Sequence, residues 1–226
     1  FLVPPAPAQT PALSSLSPVS ELLALVRADA GGFFSHGHRE IFVARSPGRL
    51  DVMGGIADYT GALVCEMPLD VAAAVAVQRR DDRKLTLKTY NSELSCEASP
   101  SETANLMELS LDDFYGTAAL LPTEALQALF TGAHHWAAYL AGAFPILARN
   151  KNITRRTSGA NIACFSNVPL GGGVSSSAAI ECAALAALTA AYHLLIEPLE
   201  TAVLAQKIEN LIVGAPCGLM DQVTSV

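Results

Sequence analysis

No Cys-x-x-Cys pair occurs anywhere in this chain, and its five cysteines, Cys65, Cys96, Cys164, Cys182 and Cys217, are an odd number scattered along it. That pattern excludes a disulfide framework and a structural zinc site. Reduced, mostly buried thiols are expected instead, and with them a cytoplasmic location. No dense basic run is present either: 14 Lys and Arg stand against 21 Asp and Glu, a formal charge of -7. Nucleic acid is therefore not an expected partner. The longest apolar stretch, Ala178–Ile196, carries Glu181 and His193 and is built from Ala more than Leu, so no membrane span is expected. The chain opens on Phe1 and not on Met, which suggests that its natural start lies upstream. What is abundant is apolar: 51% of the 226 residues are hydrophobic, enough to bury a substantial core.

The first twenty residues are rich in Pro, Ala and Ser and read as a linker, leaving 21–226 as one folded domain. Glu21–Ala30 has one apolar face and reads as a short helix. From Ile41 the pattern turns to strands: Ile41–Arg45, Arg49–Met53, Leu63–Met67, Val71–Gln78 and Lys84–Tyr90, with Ser92–Cys96 as a further candidate. Thr123–Leu147 reads as helical and Asn161–Phe165 as a strand. Ser177–Leu195 and Leu199–Val213 read as helices, the second closed by Gly214 in a left-handed cap. No internal repeat is visible. Strands first and then strand, loop, helix, helix predict an α+β domain with its helices on one sheet face.

The most informative stretch is Pro169-Leu-Gly-Gly-Gly-Val-Ser-Ser-Ser-Ala178. Gly171, Gly172 and Gly173 permit close backbone approach, and the loop runs into a helix whose free N–H groups and dipole favour an anion. Ser175, Ser176 and Ser177 add hydroxyls. The loop is not a Walker A motif, because no Gly-Lys-Ser/Thr follows. A flexible Gly-Ser linker ahead of a Ser-capped helix has the same composition, but it is out of place between a strand and a strongly apolar helix.

This loop resembles the second motif, P-x-x-x-G-L-S-S-S-A, of the GHMP kinase superfamily, with Val174 where Leu is usual. Ser46-Pro-Gly-Arg-Leu-Asp-Val-Met-Gly-Gly-Ile-Ala-Asp-Tyr-Thr-Gly61 resembles the galactokinase signature P-G-R-V-N-L-I-G-E-H-T-D-Y-N-G. Glu209–Gln222, ENLIVGAPCGLMDQ, resembles the galactokinase segment ending in C-G-x-M-D-Q, and Trp136–Gly142 resembles W-x-x-Y-x-x-G. The resemblance runs from about Ile41 to the end. It implies the family's N-terminal domain, of the ribosomal protein S5 domain 2-like fold. The family's third motif, a second Gly-rich loop, and its C-terminal domain are missing, so a fragment is expected. The implied ligands are ATP, Mg²⁺ and a small sugar.

By this resemblance Gly171, Gly172, Gly173, Ser175, Ser176 and Ser177 wrap the ATP phosphates, and Ser177 and Glu209 hold Mg²⁺. Asp221 takes or orients the proton of the sugar's anomeric hydroxyl, Arg49 neutralises charge on the transferring group, and Asp58 binds ring hydroxyls. By residue type alone each has a plainer reading. Arg49 could be a surface arginine beside a turn, Asp221 a helix cap, Glu209 a solvated helix charge and Asp58 a turn residue.

The chain departs from the galactokinase signature at two positions. Where the signature has Glu-His, this sequence has Gly55-Ile56. In galactokinases that pair contacts the exocyclic hydroxymethyl group, so an apolar replacement favours a sugar without it. L-Arabinose in its pyranose form is galactose without C6, and the string G-G-I-A-D-Y resembles plant-type L-arabinokinases. The expectation is anomeric phosphorylation of L-arabinose, with galactose phosphorylation and a non-catalytic sugar or nucleotide sensor as the alternatives.

Overall fold

The structure is a computed structural model and describes residues 17–29, 32–34, 40–91, 105–150 and 152–226. Five strands form one sheet: β1 (Phe42–Met53), β2 (Cys65–Arg79), β3 (Lys84–Thr89), β4 (Leu106–Ser110) and β5 (Ala160–Ser166). Their order is β1-β2-β5-β3-β4, with β5 and β3 parallel and every other neighbour antiparallel. The candidate strand at Ser92–Cys96 lies outside the described residues, and so does most of the predicted linker. Pro18–Ser20 are not linker, because they open helix α1 (Pro18–Ala28), whose N-cap Ser17 accepts a hydrogen bond from the Ser20 N–H.

Alternation along β2 sorts the core into two sides. Ala73, Val75 and Val77 face the main core with Leu85, Leu87 and Ile162. Ala74 and Ala76 face the other way, onto Leu22 of α1 and Phe34. Helices therefore lie on both faces of the sheet, where the sequence order predicted one. The apolar stripe of α1 needs a partner, and the alanines of β2 with Ala163 give it a flat surface to sit on.

Pro47 and Gly48 predict a break between two strands, yet β1 runs through them. The register slips between Pro47 and Arg49, where Gly48 alone on β1 stands against residues 69–71 of β2, so the extra residues of the irregularity lie on β2. Pro47 is tolerated because β1 is an edge strand. Likewise β2 continues through Pro68, in the stretch that pairs with β1 alone.

The predicted helix at Thr123–Leu147 is three short helices, α2 (Thr123–Gln127), α3 (Ala138–Ala141) and α4 (Ala143–Arg149), with a 3-10 segment at Gly132–Ala137. Gly132 breaks it with a φ of 60°. Gly142 bends it where a Cβ would sit 2.9 Å from Ile208 and 3.0 Å from Ile212, so only glycine lets the segments pack this closely.

Helix α5 (Ser176–Ala191) is buried on nearly every side, and its alanines let it lie against β1 and β2. Among the described residues no helix is long and apolar enough to cross a membrane. Helix α6 (Pro198–Ile208) passes into one π-helical turn, Glu209–Val213. Gly214 closes it at a φ of 84°, the left-handed cap the sequence predicts. Short α7 (Met220–Ser225) packs on β1, α5 and α6.

Candidate active site

The register slip at Gly48 positions the site. A Cβ on Gly48 would stand 2.9 Å from the Val174 carbonyl, so the glycine lets the Gly-Ser loop lie directly on the strand. The next residue fastens it there: the Arg49 backbone N–H donates to the Val174 carbonyl at 3.0 Å. The Arg49 Nη1 donates to the Gly173 carbonyl at 3.1 Å. The two glycine-bearing motifs are thus one built unit.

Arg49 is 8% exposed, which excludes the surface reading. Its Nε donates to Asp221 Oδ1 at 2.8 Å, its Nη2 reaches the same oxygen, and Glu66 Oε2 lies 3.0 Å from Nε. The other Asp221 oxygen, Oδ2, accepts from the Ser175 hydroxyl at 2.6 Å. Asp221 sits in the first turn of α7 but makes no cap; its carboxylate is held by Arg49 and Ser175 instead.

Asp58 is set beside this pair. It lies in a 3-10 turn, Gly55–Thr60, and its Oδ2 accepts from the Met220 N–H at 3.0 Å, one residue before Asp221. Tyr59 donates to the Pro216 carbonyl at 3.3 Å, so the turn is pinned to the segment leading into α7. Gly55 stands at a φ of 45°, where a side chain is strained, and Ile56 is 83% exposed at the rim.

The loop glycines face outward. Gly171 and Gly173 both have a φ of 67°, and nothing lies within 4 Å of where their Cβ atoms would be. The N-terminus of the 16-residue α5 follows directly. An open strip of backbone at a helix start favours an anion, and phosphate oxygens suit it.

Glu209 is 8% exposed, so it is no solvated helix charge. Burial pushes its carboxyl up, and hydrogen bonds from Ser177 and Cys217 pull against that shift. The structure therefore brings Ser177 and Glu209 together, as the resemblance implies for a metal pair. Gln222 Nε2 donates to Glu209 Oε2 at 2.8 Å. Glu181, fully buried in α5, adjoins the same group; burial first, and the Glu209 charge second, hold its carboxyl well above the usual range. A hydroxyl and a carboxylate are hard oxygen donors that fit Mg²⁺, which keeps waters and takes its remaining ligands from phosphate. Among the described residues no group of three His, Cys, Asp or Glu forms an all-protein metal cage.

Sequence reasoning missed four carboxyl and amide groups. Asp51 and Glu66 face one another across β1 and β2. Asp51 Oδ2 accepts the Gly55 N–H at 2.7 Å and so shapes the 3-10 turn. Burial raises the Glu66 pKa, Arg49 lowers it and Asp51 raises it further. Glu66 lies in no motif, and only the strand register reveals it. Gln222 and Glu181 stand at the edges of recognised segments, and only their contacts give them a role.

The comparisons with known proteins agree with this geometry. The family model of the GHMP kinases N terminal domain matches residues 138–226, and that of the galactokinase galactose-binding signature matches residues 33–79. The chain belongs to the GHMP kinase superfamily and carries its N-terminal domain. More narrowly, it is 42% identical over 222 residues to the L-arabinokinase of Arabidopsis thaliana, matching 88% of this chain and 21% of that protein. Lactococcus lactis galactokinase in complex with galactose superimposes with a TM-score of 0.71 at 24% identity, covering 90% of this chain and 46% of that one. Methanococcus jannaschii mevalonate kinase gives a TM-score of 0.59 at 18% identity, covering 84% and 52%. The chain thus spans about a fifth of the L-arabinokinase and about half of these two kinases.

Proposed function

We propose that the protein transfers the γ-phosphoryl group of ATP to the anomeric hydroxyl of L-arabinose, giving L-arabinose 1-phosphate and ADP. The observation that carries this reading is the Arg49–Asp221 pair, set between the Gly-Ser loop and the turn that bears Asp58. Phosphoryl transfer asks the protein for positioning and charge neutralisation more than for covalent chemistry. Gly171–Gly173 and the start of α5 receive the phosphates. Asp221 orients the O1 hydroxyl and takes its proton as the bond from O1 to phosphorus forms and the bond to ADP breaks. Arg49 fixes Asp221 and offsets charge on the phosphoryl group. Ser177 and Glu209 would hold Mg²⁺, which supplies charge neutralisation at the phosphates when bound.

The sugar assignment rests on Gly55 and Ile56. Neither offers a polar side chain, and the left-handed backbone at Gly55 disfavours any side chain there. A sugar end without a hydroxymethyl group meets no unpaired donor at such a rim. The 42% identity to an L-arabinokinase supports the same choice. D-Galactose is the second reading, supported by Asp58 and by the match of residues 33–79 to the galactose-binding signature. The four described cysteines are free thiols, which supports a cytoplasmic setting.

The test is ADP release by the intact protein with ATP, Mg²⁺ and L-arabinose, with the product's phosphate located by phosphorus NMR. A phosphate on C1, lost in Asp221→Asn, is expected. ATP and sugar binding with no ADP release would make the protein a sensor instead.

A further inference from the structure

Ser175 is the one serine of the loop whose backbone is left-handed, with φ 56° and ψ 52°. That conformation suits glycine, and the loop has glycine to spare at three neighbouring positions. Serine is common at helix N-caps because its hydroxyl accepts from the helix's first N–H groups. Here Ser175 stands at the N-cap of α5 and its side chain makes no such bond; only its carbonyl serves the helix, accepting from the Ala179 N–H at 3.1 Å. The residue therefore meets a backbone cost without the usual gain. Its hydroxyl is turned inward, 8% of the residue is exposed, and Oγ donates to Asp221 Oδ2 at 2.6 Å.

We propose that Ser175 is a positioning residue for Asp221 and that its side chain is not a phosphate ligand. This rests on the kinase reading above. Arg49 occupies Oδ1 from β1, and Ser175 occupies Oδ2 from the loop, so the carboxylate is held from two directions by two segments. Rotation about the Asp221 side chain breaks one bond or the other. The same loop that presents backbone to the phosphates thereby sets the orientation of the acid. Loop seating and acid placement are one event. The arriving sugar hydroxyl finds a carboxylate whose plane is already fixed, and 23% side-chain exposure leaves room to approach it.

The test uses Ser175→Gly, which removes the hydroxyl and relieves the left-handed backbone, beside Ser175→Ala, which removes the hydroxyl alone. Steady-state kinetics on the intact protein should show kcat falling about 100-fold in both, the scale of a misplaced reacting group. The KM for ATP should stay at its wild-type value, and Ser175→Gly should melt no lower than wild type. A raised KM for ATP with kcat retained would make the hydroxyl a phosphate ligand and overturn the proposal. An unchanged kcat would overturn it as well. If the wild-type protein turns over no sugar, the kinase reading fails by itself, and the urea midpoints of Ser175→Gly, Asp221→Asn and the double variant still decide the coupling. A Ser175→Gly shift that is less favourable in the wild-type background than in the Asp221→Asn background, with nucleotide affinity unchanged, supports the Ser175–Asp221 link. The same shift in both backgrounds would overturn it.

Discussion

A Cβ on Gly218 would fall 1.7 Å from Asp58 Oδ2, in space the carboxylate already fills. The glycine is there because Asp58, 160 positions earlier in the chain by residue number, lies against the turn that leads into α7. Gly218→Ala should therefore push the Asp58 carboxylate away while leaving Asp58 itself unsubstituted. The expected result is a raised KM for the sugar, matching that of Asp58→Ala, with the KM for ATP unchanged. Sugar and nucleotide titrations of both variants check this; a Gly218→Ala protein with wild-type sugar affinity would separate Asp58 from the sugar.

Arg49 is the only cation shown within 4 Å of the Glu66 and Asp221 carboxylates among the described residues. Arg49→Met leaves two carboxylates without it and also removes the bond to the Gly173 carbonyl. A loss of about 3 kcal/mol in unfolding free energy is expected, on the scale of breaking a buried ion pair. Denaturant melts measure it. Arg49→Lys keeps the charge but not the fork, so it should recover much of the stability and little of the turnover. Full activity in Arg49→Lys would contradict the geometric role.

Glu66 gives a pH signature. Burial holds its pKa above the ordinary 4.5 in the folded protein. Between 4.5 and that higher folded value the native state keeps a proton that the unfolded chain has released. Stability from this group is full below the window and falls as pH rises through it. Glu66→Gln has no such proton to lose, so its stability relative to wild type should improve as pH climbs from 4.5. Urea melts across pH measure the difference. A Glu66→Gln stability that stays level or falls relative to wild type as pH rises would mean the carboxyl is already ionised in the native state.

The thiols predict their own reactivity. Cys65 is exposed, whereas Cys164 and Cys182 are buried. Burial pushes the Cys164 thiol up to about 12, and burial beside Glu209 does the same to Cys217. With Cys96 replaced by Ser, a thiol reagent at neutral pH should label Cys65 alone in the native protein. Peptide mapping identifies the labelled site; rapid labelling of Cys217 would show that the Glu209 surroundings are open.

Much of this was legible in the sequence because the motifs are local. The Gly-Ser loop, the start of α5 and the Gly214 cap each follow from residues a few positions apart. The misses are of two kinds. Glycine's local role is one: Pro47-Gly48 reads as a strand end, yet β1 runs through it and Gly48 admits the loop, while Gly142 reads as helix interior, yet it bends the segment to admit Ile208 and Ile212. The second kind is long-range pairing. Glu66 meets Arg49 only through the β1–β2 register, and α1 finds its sheet face only through the alternation of alanines in β2. The Ser175 hydroxyl looked like one of three equal phosphate donors. Its left-handed backbone and its bond to Asp221 set it apart.

The substrate remains the central claim, and the ratio of kcat/KM for L-arabinose to kcat/KM for D-galactose, measured side by side on the intact protein, tests it most directly. The apolar rim at Gly55 and Ile56 predicts a ratio above one, with L-arabinose 1-phosphate as the main product when both sugars compete. A higher kcat/KM for D-galactose would contradict it.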